Sequence, residues 1–112
     1  LLTKEQGCLR FARQNANQLH DQVRGLYPWP GAYMFHQGKR IKVLRSRVAS
    51  GGGGGEPGAF HLEGERLLVC CADSSALELL ALQPEGRRPL LPKDFVNGMN
   101  PAAPHRFDSE PA

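Results

Sequence analysis

The chain has no apolar run long enough to cross a membrane and no signal-peptide pattern. It has only three cysteines, which are Cys8 and the adjacent pair Cys70 and Cys71, and no C-x-x-C spacing. Because neighbours in a strand face opposite sides of a sheet, the pair is not expected to bridge or to share a metal. These absences predict no membrane partner, reduced thiols in the cytoplasm, and Cys70 or Cys71 in a core.

Catalytic and metal-binding motifs are also missing. The histidines have no metal-ligand spacing, and no serine lies in a nucleophile elbow. The glycine run 51–55 lacks the G-K-[ST] ending of a phosphate-binding loop, so residues 50–58 are predicted to form a flexible connection. We therefore expect no catalytic residue, no cofactor-binding residue and no metal in this chain. The histidines are His20, His36, His61 and His105.

The size of the chain suits one domain built from short elements. It has 112 residues, with 13 glycines and 9 prolines, which favours loops and short strands over long helices. Because the sequence starts at Leu1 and not at a methionine, we expect a fragment of a longer protein. The predicted folded core covers about residues 9–98, and residues 99–112 are expected to be an unstructured tail.

One amphipathic helix is predicted over residues 15–26. Its apolar positions recur at steps of three and four, as on one face of an α-helix. Asn15 is the expected N-cap, and Gly25 with Pro28 is expected to end the helix. On its polar face, Asp21 and Arg24 predict a surface ion pair of small energetic value. The apolar positions are Ala16, Leu19, Val23 and Leu26.

The helix is followed by a proline-rich stretch, "YPWPG", at residues 27–31, which we call the hinge. Residues before proline favour extended geometry, and Pro30 with Gly31 fits the middle of a type II turn. Pro28, Trp29, Pro30 and Gly31 are therefore predicted to be structural. The Trp29 ring could stack on a nucleic-acid base or pack at the end of a barrel, and packing is the favoured interpretation.

The remaining elements are predicted to be strands. An edge strand is expected at residues 9–11, and residues 32–36 and 39–49 predict a hairpin with a bulge near residues 43–44. Three more strands are expected in "AFHL", "RLLVCCA" and "LELLALQ", and a short helix over residues 92–98. One helix and five or six short strands predict a mainly β fold, a small β-barrel with the amphipathic helix packed against it.

The charge is concentrated in two places. The net charge is only +3, but the strand segment "GKRIKVLRSR" carries five cations and no acid, and a second basic pair follows "LQPEG". We expect the five to be divided between the two faces according to the bulge position. Such a ribbon favours contact with nucleic-acid phosphates over its alternative, a solvated strand face protected from edge pairing. The candidate residues are Lys39, Arg40, Lys42, Arg45, Arg47, Arg87 and Arg88.

Two long stretches, "NQLHDQVRGLYPWPGAYMFHQGKRIKV" and "LELLALQPEGRRPLLPKDFVNG", resemble the C-terminal domain of the methionyl-tRNA formyltransferase family. The resemblance rests on the P-W-P-G-A and L-Q-P-E-G-R-R segments in this order, and it covers about residues 9–98. It implies an OB-like barrel that follows an N-terminal Rossmann-type catalytic domain. That domain would hold the catalytic residues and bind 10-formyltetrahydrofolate, so the fragment would be inactive alone.

The resemblance also implies a partner, the initiator methionyl-tRNA. The positions that match the tRNA-facing basic surface are Lys39, Arg40, Lys42, Arg87 and Arg88. Two alternatives stay open. Related formyltransferases that act on sugars or folates carry the same domain, where it would be a scaffold without a nucleic-acid role. A free-standing OB-like module could instead bind single strands through Tyr33 and Phe35.

Overall fold

The computed structural model describes residues 3–111, which form one five-stranded antiparallel sheet with two helices. The strand order across the sheet is β1-β2-β5-β4-β3. The prediction of a mainly β fold with one main helix and a short C-terminal helix is confirmed. The elements are α1 Ala16–Leu26, β1 Ala32–His36, β2 Lys39–Val48, β3 Phe60–Glu63, β4 Arg66–Cys70, β5 Ala76–Pro84 and α2 Pro92–Gly98, with 3₁₀ turns at Lys4–Gly7 and Ala72–Ser74.

Helix α1 forms where the apolar spacing predicts it. The Asn15 side chain accepts a hydrogen bond from the Gln18 amide, and the Gln18 side chain accepts one from the Asn15 amide, a reciprocal capping box. The four predicted apolar positions are all buried and face β2 and β5. The predicted surface pair is also present, with Arg24 donating to Asp21 at 2.8 Å. Neither helix is long enough to cross a membrane.

The β1–β2 hairpin and its bulge are confirmed. Gln37 and Gly38 have φ angles of 55° and 76°, the left-handed pair that a two-residue type I′ turn requires. The strands pair residue by residue from His36 with Lys39 to Ala32 with Val43. On the other side of β2, the register with β5 shifts between Val43 and Arg45. This bulge changes which positions of β2 face outward.

The predicted edge strand at residues 9–11 is wrong. Cys8 makes a single parallel bridge with Tyr33, and the Leu9 amide donates to the Tyr33 carbonyl at 2.9 Å, but the chain then turns away. Leu9 and Phe11 are nevertheless buried. The apolar–polar–apolar pattern of residues 9–11 arises because Leu9 and Phe11 insert their side chains into the core. The hydrogen bond from the Leu9 amide to Tyr33 holds the segment in place, and no strand forms.

The prediction of an unstructured tail is also wrong for the described residues 100–111, which we call the C-terminal segment. Phe35 and Asp108 exchange two backbone hydrogen bonds of 2.8 Å, which attaches the segment to β1. The Phe107 amide donates to Gly58, and the Phe60 amide donates to His105, which attaches it to the start of β3. The edge strands β1 and β3 do not pair in the described structure. The C-terminal segment spans the opening between them, so the sheet is OB-like in outline without closing through strand pairing.

The glycine-rich loop lies on the outer side of β4. A Cβ atom added to Gly52 would come within 2.6 Å of Leu68 Cδ1, and one on Gly53 would collide with the Ser74 carbonyl. The loop therefore packs through its backbone, a contact that the prediction of a flexible connection did not include. Cys70 lies beneath it, with its thiol 3.6 Å from the Gly52 carbonyl. Cys71 faces the opposite way into the core, where burial raises its thiol pKa to about 12.

Candidate nucleic-acid interface

A groove of about 350 Å³ opens beside the hairpin, and cationic and aromatic side chains line it. Its walls come from the hinge, from the β1–β2 hairpin, from the turn after β5 and from the first 3₁₀ turn. We call it the basic–aromatic groove. Its cationic and aromatic residues are Lys4, Trp29, Tyr33, Arg40 and Lys42, Glu85 adds one carboxylate, and Pro30, Gln83, Pro84 and Gly86 complete the walls.

Strand register brings the cations and the aromatic rings of the hairpin together. Tyr33 lies directly opposite Lys42, and Phe35 lies opposite Arg40. Side chains of directly opposed residues in an antiparallel pair project from the same face. The Arg40 guanidinium therefore lies over the Tyr33 ring, 4.4 Å from its centroid, and 5.9 Å from that of Phe35. This stacking orients Arg40 and contributes about 0.5–1 kcal/mol at an exposed site.

A module that binds single strands through Tyr33 and Phe35 would need exposed ring faces on which bases can stack, and neither ring offers one. Phe35 is buried, and Arg40 already lies over Tyr33. Burial is the main cause that raises the pKa of the Tyr33 phenol, followed by the Cys8 thiol, and Arg40 opposes the shift. The phenol therefore remains a neutral hydrogen-bonding group at neutral pH, and it lies in the wall of the groove.

Trp29 is on the surface, which corrects the favoured interpretation of packing. Its side chain is 59% exposed, whereas Pro30 and Gly31 beside it are buried. The Gly31 amide donates to the Leu26 carbonyl at 2.9 Å, and Gly31 has a φ of 90°. The structural part of the hinge is thus its last two residues. They anchor the backbone while the exposed Pro28 and Trp29 project from it, and the peptide bonds before both prolines are cis.

Close backbone packing places two lysines at the hinge. The Lys42 side chain crosses Gly31, where an added Cβ would lie 3.6 Å from its Cδ and Cε atoms. On the other side, a Cβ on Gly7 would collide with the Gly31 carbonyl oxygen, so the Lys4–Gly7 turn lies against the hinge. Lys4 thereby reaches the groove. No local motif signals this placement of Lys4, because it depends on contact between segments more than twenty positions apart.

The five cations of β2 were expected to be divided between the two faces of the strand, but the bulge places most of them on one face. Before the bulge Ile41 and Val43 are buried, and after it Ser46 is buried. Four cations therefore fall at the exposed or half-buried positions of one strand face, and Lys39 is exposed at the start of the strand. The four that share a face are Arg40, Lys42, Arg45 and Arg47.

Arg47 has a carboxylate partner that the local sequence does not reveal. It donates to both oxygens of Glu78 on β5 at 3.0 Å, and Arg66 on β4 donates to the same carboxylate at 3.2 Å. Glu78 is 3% exposed, so two guanidinium groups compensate a buried charge. In contrast, Arg40 and Lys42 have no carboxylate partner within residues 3–111. The charge available to an anionic ligand is therefore greatest at the groove end of β2.

The second predicted basic pair lies next to the groove. The Glu85 amide donates to the Arg40 carbonyl at 3.0 Å, which fixes the turn after β5 beside the hairpin. The turn closes with a hydrogen bond from the Arg87 amide to Pro84, and Gly86 supplies its positive φ. Arg87 and Arg88 are exposed just beyond the groove wall. The turn that carries this pair is thus held beside the strand that carries Arg40 and Lys42, with Arg45 further along that strand.

The sequence is similar to a known domain family and to named enzymes that contain this domain. A family model described as "Formyl transferase, C-terminal domain" matches residues 1–100. The chain is 40% identical over 100 residues to a methionyl-tRNA formyltransferase of Sorangium cellulosum, covering 88% of this chain and 32% of that protein. Enzymes of the same name from Koribacter versatilis and Thermus thermophilus are 39% and 42% identical, covering 90% and 87% of this chain and 31% of each enzyme. The chain spans about a third of the length of these relatives.

Proposed function

The chain belongs to the formyl transferase C-terminal domain family, and on that premise we propose that it is the tRNA-binding domain of a methionyl-tRNA formyltransferase. The observation that carries the proposal is the placement of Arg40 and Lys42 at a groove with exposed aromatic surface, where neither forms an ion pair within residues 3–111 although Glu85 lies in the same lining. Cations in this arrangement bind phosphates and position a nucleic acid without reading its sequence.

The chemical step belongs to another part of the protein in this proposal. Among residues 3–111 no group of histidine, cysteine and carboxylate side chains could hold a metal ion, and Glu85 is the single carboxylate among the cations and aromatic rings that line the described groove. We assign the formyl donor, 10-formyltetrahydrofolate, and the catalytic residues to an N-terminal Rossmann-type domain. The OB-like domain would orient the initiator methionyl-tRNA toward that domain. The proposal places this activity in the cytoplasm, and the free thiols of Cys8, Cys70 and Cys71 support a reducing compartment.

The proposal is tested by measuring how tRNA affinity depends on salt. Fluorescence anisotropy of labelled tRNA with the 112-residue chain should show an affinity that falls steeply from about 50 to 200 mM salt, because bound counterions are released. The double variant R40A/K42A removes two phosphate contacts, so the slope of log affinity against log salt should decrease by ~1.4–1.8. The melting temperature should fall by only a few degrees, since both side chains are half-buried and the Arg40–Tyr33 stacking is worth about 0.5–1 kcal/mol.

A matched control separates the groove from net charge. Arg10 and Arg13 are exposed and lie outside the lining of the basic–aromatic groove. The variant R10A/R13A removes the same two charges and should keep the wild-type slope. Equal effects of the two double variants would contradict the assignment to the groove. Absence of tRNA binding at low salt would contradict the proposed function and favour a scaffold role in a sugar or folate formyltransferase.

A further inference from the structure

The hinge side of the groove presents a flat aromatic surface that phosphate contacts do not require. Trp29 is the only tryptophan of the chain, and its side chain is 59% exposed between two prolines. Lysine and arginine side chains suffice for phosphate contacts, so the exposed indole adds a surface on which a base can stack. Trp29 lines the groove together with Lys4, Arg40 and Lys42. This combination favours a ligand that has both an aromatic ring and a negative charge.

We propose that the basic–aromatic groove binds one unpaired nucleotide of an RNA, with its base stacked on Trp29 and its phosphate held by Lys42 and Arg40. This inference rests on the proposed function and names the part of the RNA that the groove contacts. An unpaired nucleotide is required because the faces of a paired base are covered by its neighbours in the helix.

The geometry supports both halves of this ligand. Lys42 crosses the hinge at Gly31, which places its ammonium within the same groove as the indole ring. The Arg40 guanidinium stacks on the Tyr33 ring, which pre-organises it for contact with a ligand. The groove volume of about 350 Å³ is at the lower end of the range for ligand pockets, which suits a single nucleotide and not a helix.

The sole tryptophan makes the test direct. A single-stranded oligoadenylate should quench the fluorescence of Trp29, whereas an RNA duplex of the same length should bind through the cations without quenching. Trp29→Ala should weaken binding of the single strand by roughly tenfold or more and leave duplex binding unchanged, because stacking acts only on an exposed base. Trp29→Phe should give an intermediate affinity, since a smaller ring still stacks. Affinities of the variants are measured with labelled RNA.

Tyr27 provides the matched control. It is a second exposed aromatic residue two positions away, and it does not line the groove, so Tyr27→Ala should keep the affinity of both RNAs. If Trp29→Ala binds the single strand as tightly as the wild-type chain, or if the duplex quenches equally, the stacking site is wrong while the proposed function stands. If neither RNA binds the wild-type chain at low salt, the nucleotide site is wrong, and the salt titration with tRNA decides the proposed function separately.

Discussion

The hinge and the C-terminal segment are both rich in proline but place their large aromatic rings in opposite environments. The hinge has Trp29 between two prolines, and the C-terminal segment has Phe107 among three. The side chain of Trp29 is 59% exposed, and that of Phe107 is 1% exposed. Local composition favoured the reverse assignment, with Trp29 packed and the tail unstructured.

The two rings differ in exposure because the two segments contact different parts of the fold. Phe107 stacks on Phe60 with 4.2 Å between ring centroids, and its amide is bound by Gly58 on the same side of the opening. The hinge instead buries its backbone at Pro30 and Gly31 against the first 3₁₀ turn, and its indole stays exposed in the wall of the groove. In proline-rich segments, then, contacts made far away in the sequence decide which ring is buried.

The largest expected effect comes from removing the buried ring. Phe107→Ala should lower the free energy of unfolding by about 3–5 kcal/mol, because it leaves a cavity against Phe60 in the core. Urea denaturation followed by circular dichroism measures this loss. His105→Ala is the control, since its exposed ring only stacks on the edge of the same cluster and should cost no more than about 1 kcal/mol. Equal losses for the two variants would mean that the C-terminal segment does not insert its phenylalanine.

A smaller effect is expected in the backbone of the hinge. Gly31→Ala should lower the free energy of unfolding by about 1–2 kcal/mol, because a side chain at a φ of 90° is strained. Gly25→Ala makes the same change within α1, where an added Cβ meets nothing within 4 Å. It should raise the free energy of unfolding by about 0.5–1 kcal/mol. Opposite signs in matched urea titrations would confirm that the hinge is anchored at Gly31, and a neutral Gly31→Ala would argue against it.

The smallest effect on stability is expected at Trp29 itself. Trp29→Ala should change the free energy of unfolding by no more than about 0.5 kcal/mol, since an exposed ring leaves no cavity. Thermal and urea unfolding of the 112-residue chain measure it. A loss of about 3–5 kcal/mol would show instead that the ring is packed in solution, and the contrast with Phe107 would disappear.

Short-range patterns predicted much of the fold. The apolar spacing of α1, the Asn15 cap and the two-residue turn at Gln37 and Gly38 each depend on residues within one or two turns of the chain. The position of the β2 bulge follows in the same way from a break in alternation between Val43 and Arg45. Elements defined by such local chemistry are the ones that the sequence alone identifies correctly.

Long-range pairing explains most of what was missed. Arg47 stands in a run without acids, but its carboxylate partner Glu78 is 31 positions away on β5. The C-terminal segment has few apolar residues, so nothing in its own composition indicates that Phe107 completes the core. The same limit applies to the groove, where Lys4 and Trp29 line the same cavity because Gly7 and Gly31 allow two backbones to touch. The cations of the hairpin were predicted as a site, whereas base stacking by Trp29 was named only as the less favoured alternative.

The contacts of the C-terminal segment also have a consequence for the order of folding. The Ser109 hydroxyl donates to the Leu9 carbonyl across 100 positions, so this contact closes one of the longest loops in the chain. Contacts of such separation form late and lower the folding rate, because the loop entropy must be lost before they stabilise anything. Until they form, the edges of β1 and β3 remain unpaired and able to recruit strands from other molecules. We therefore expect the time between sheet formation and attachment of this segment to be the period in which the chain is most prone to aggregate.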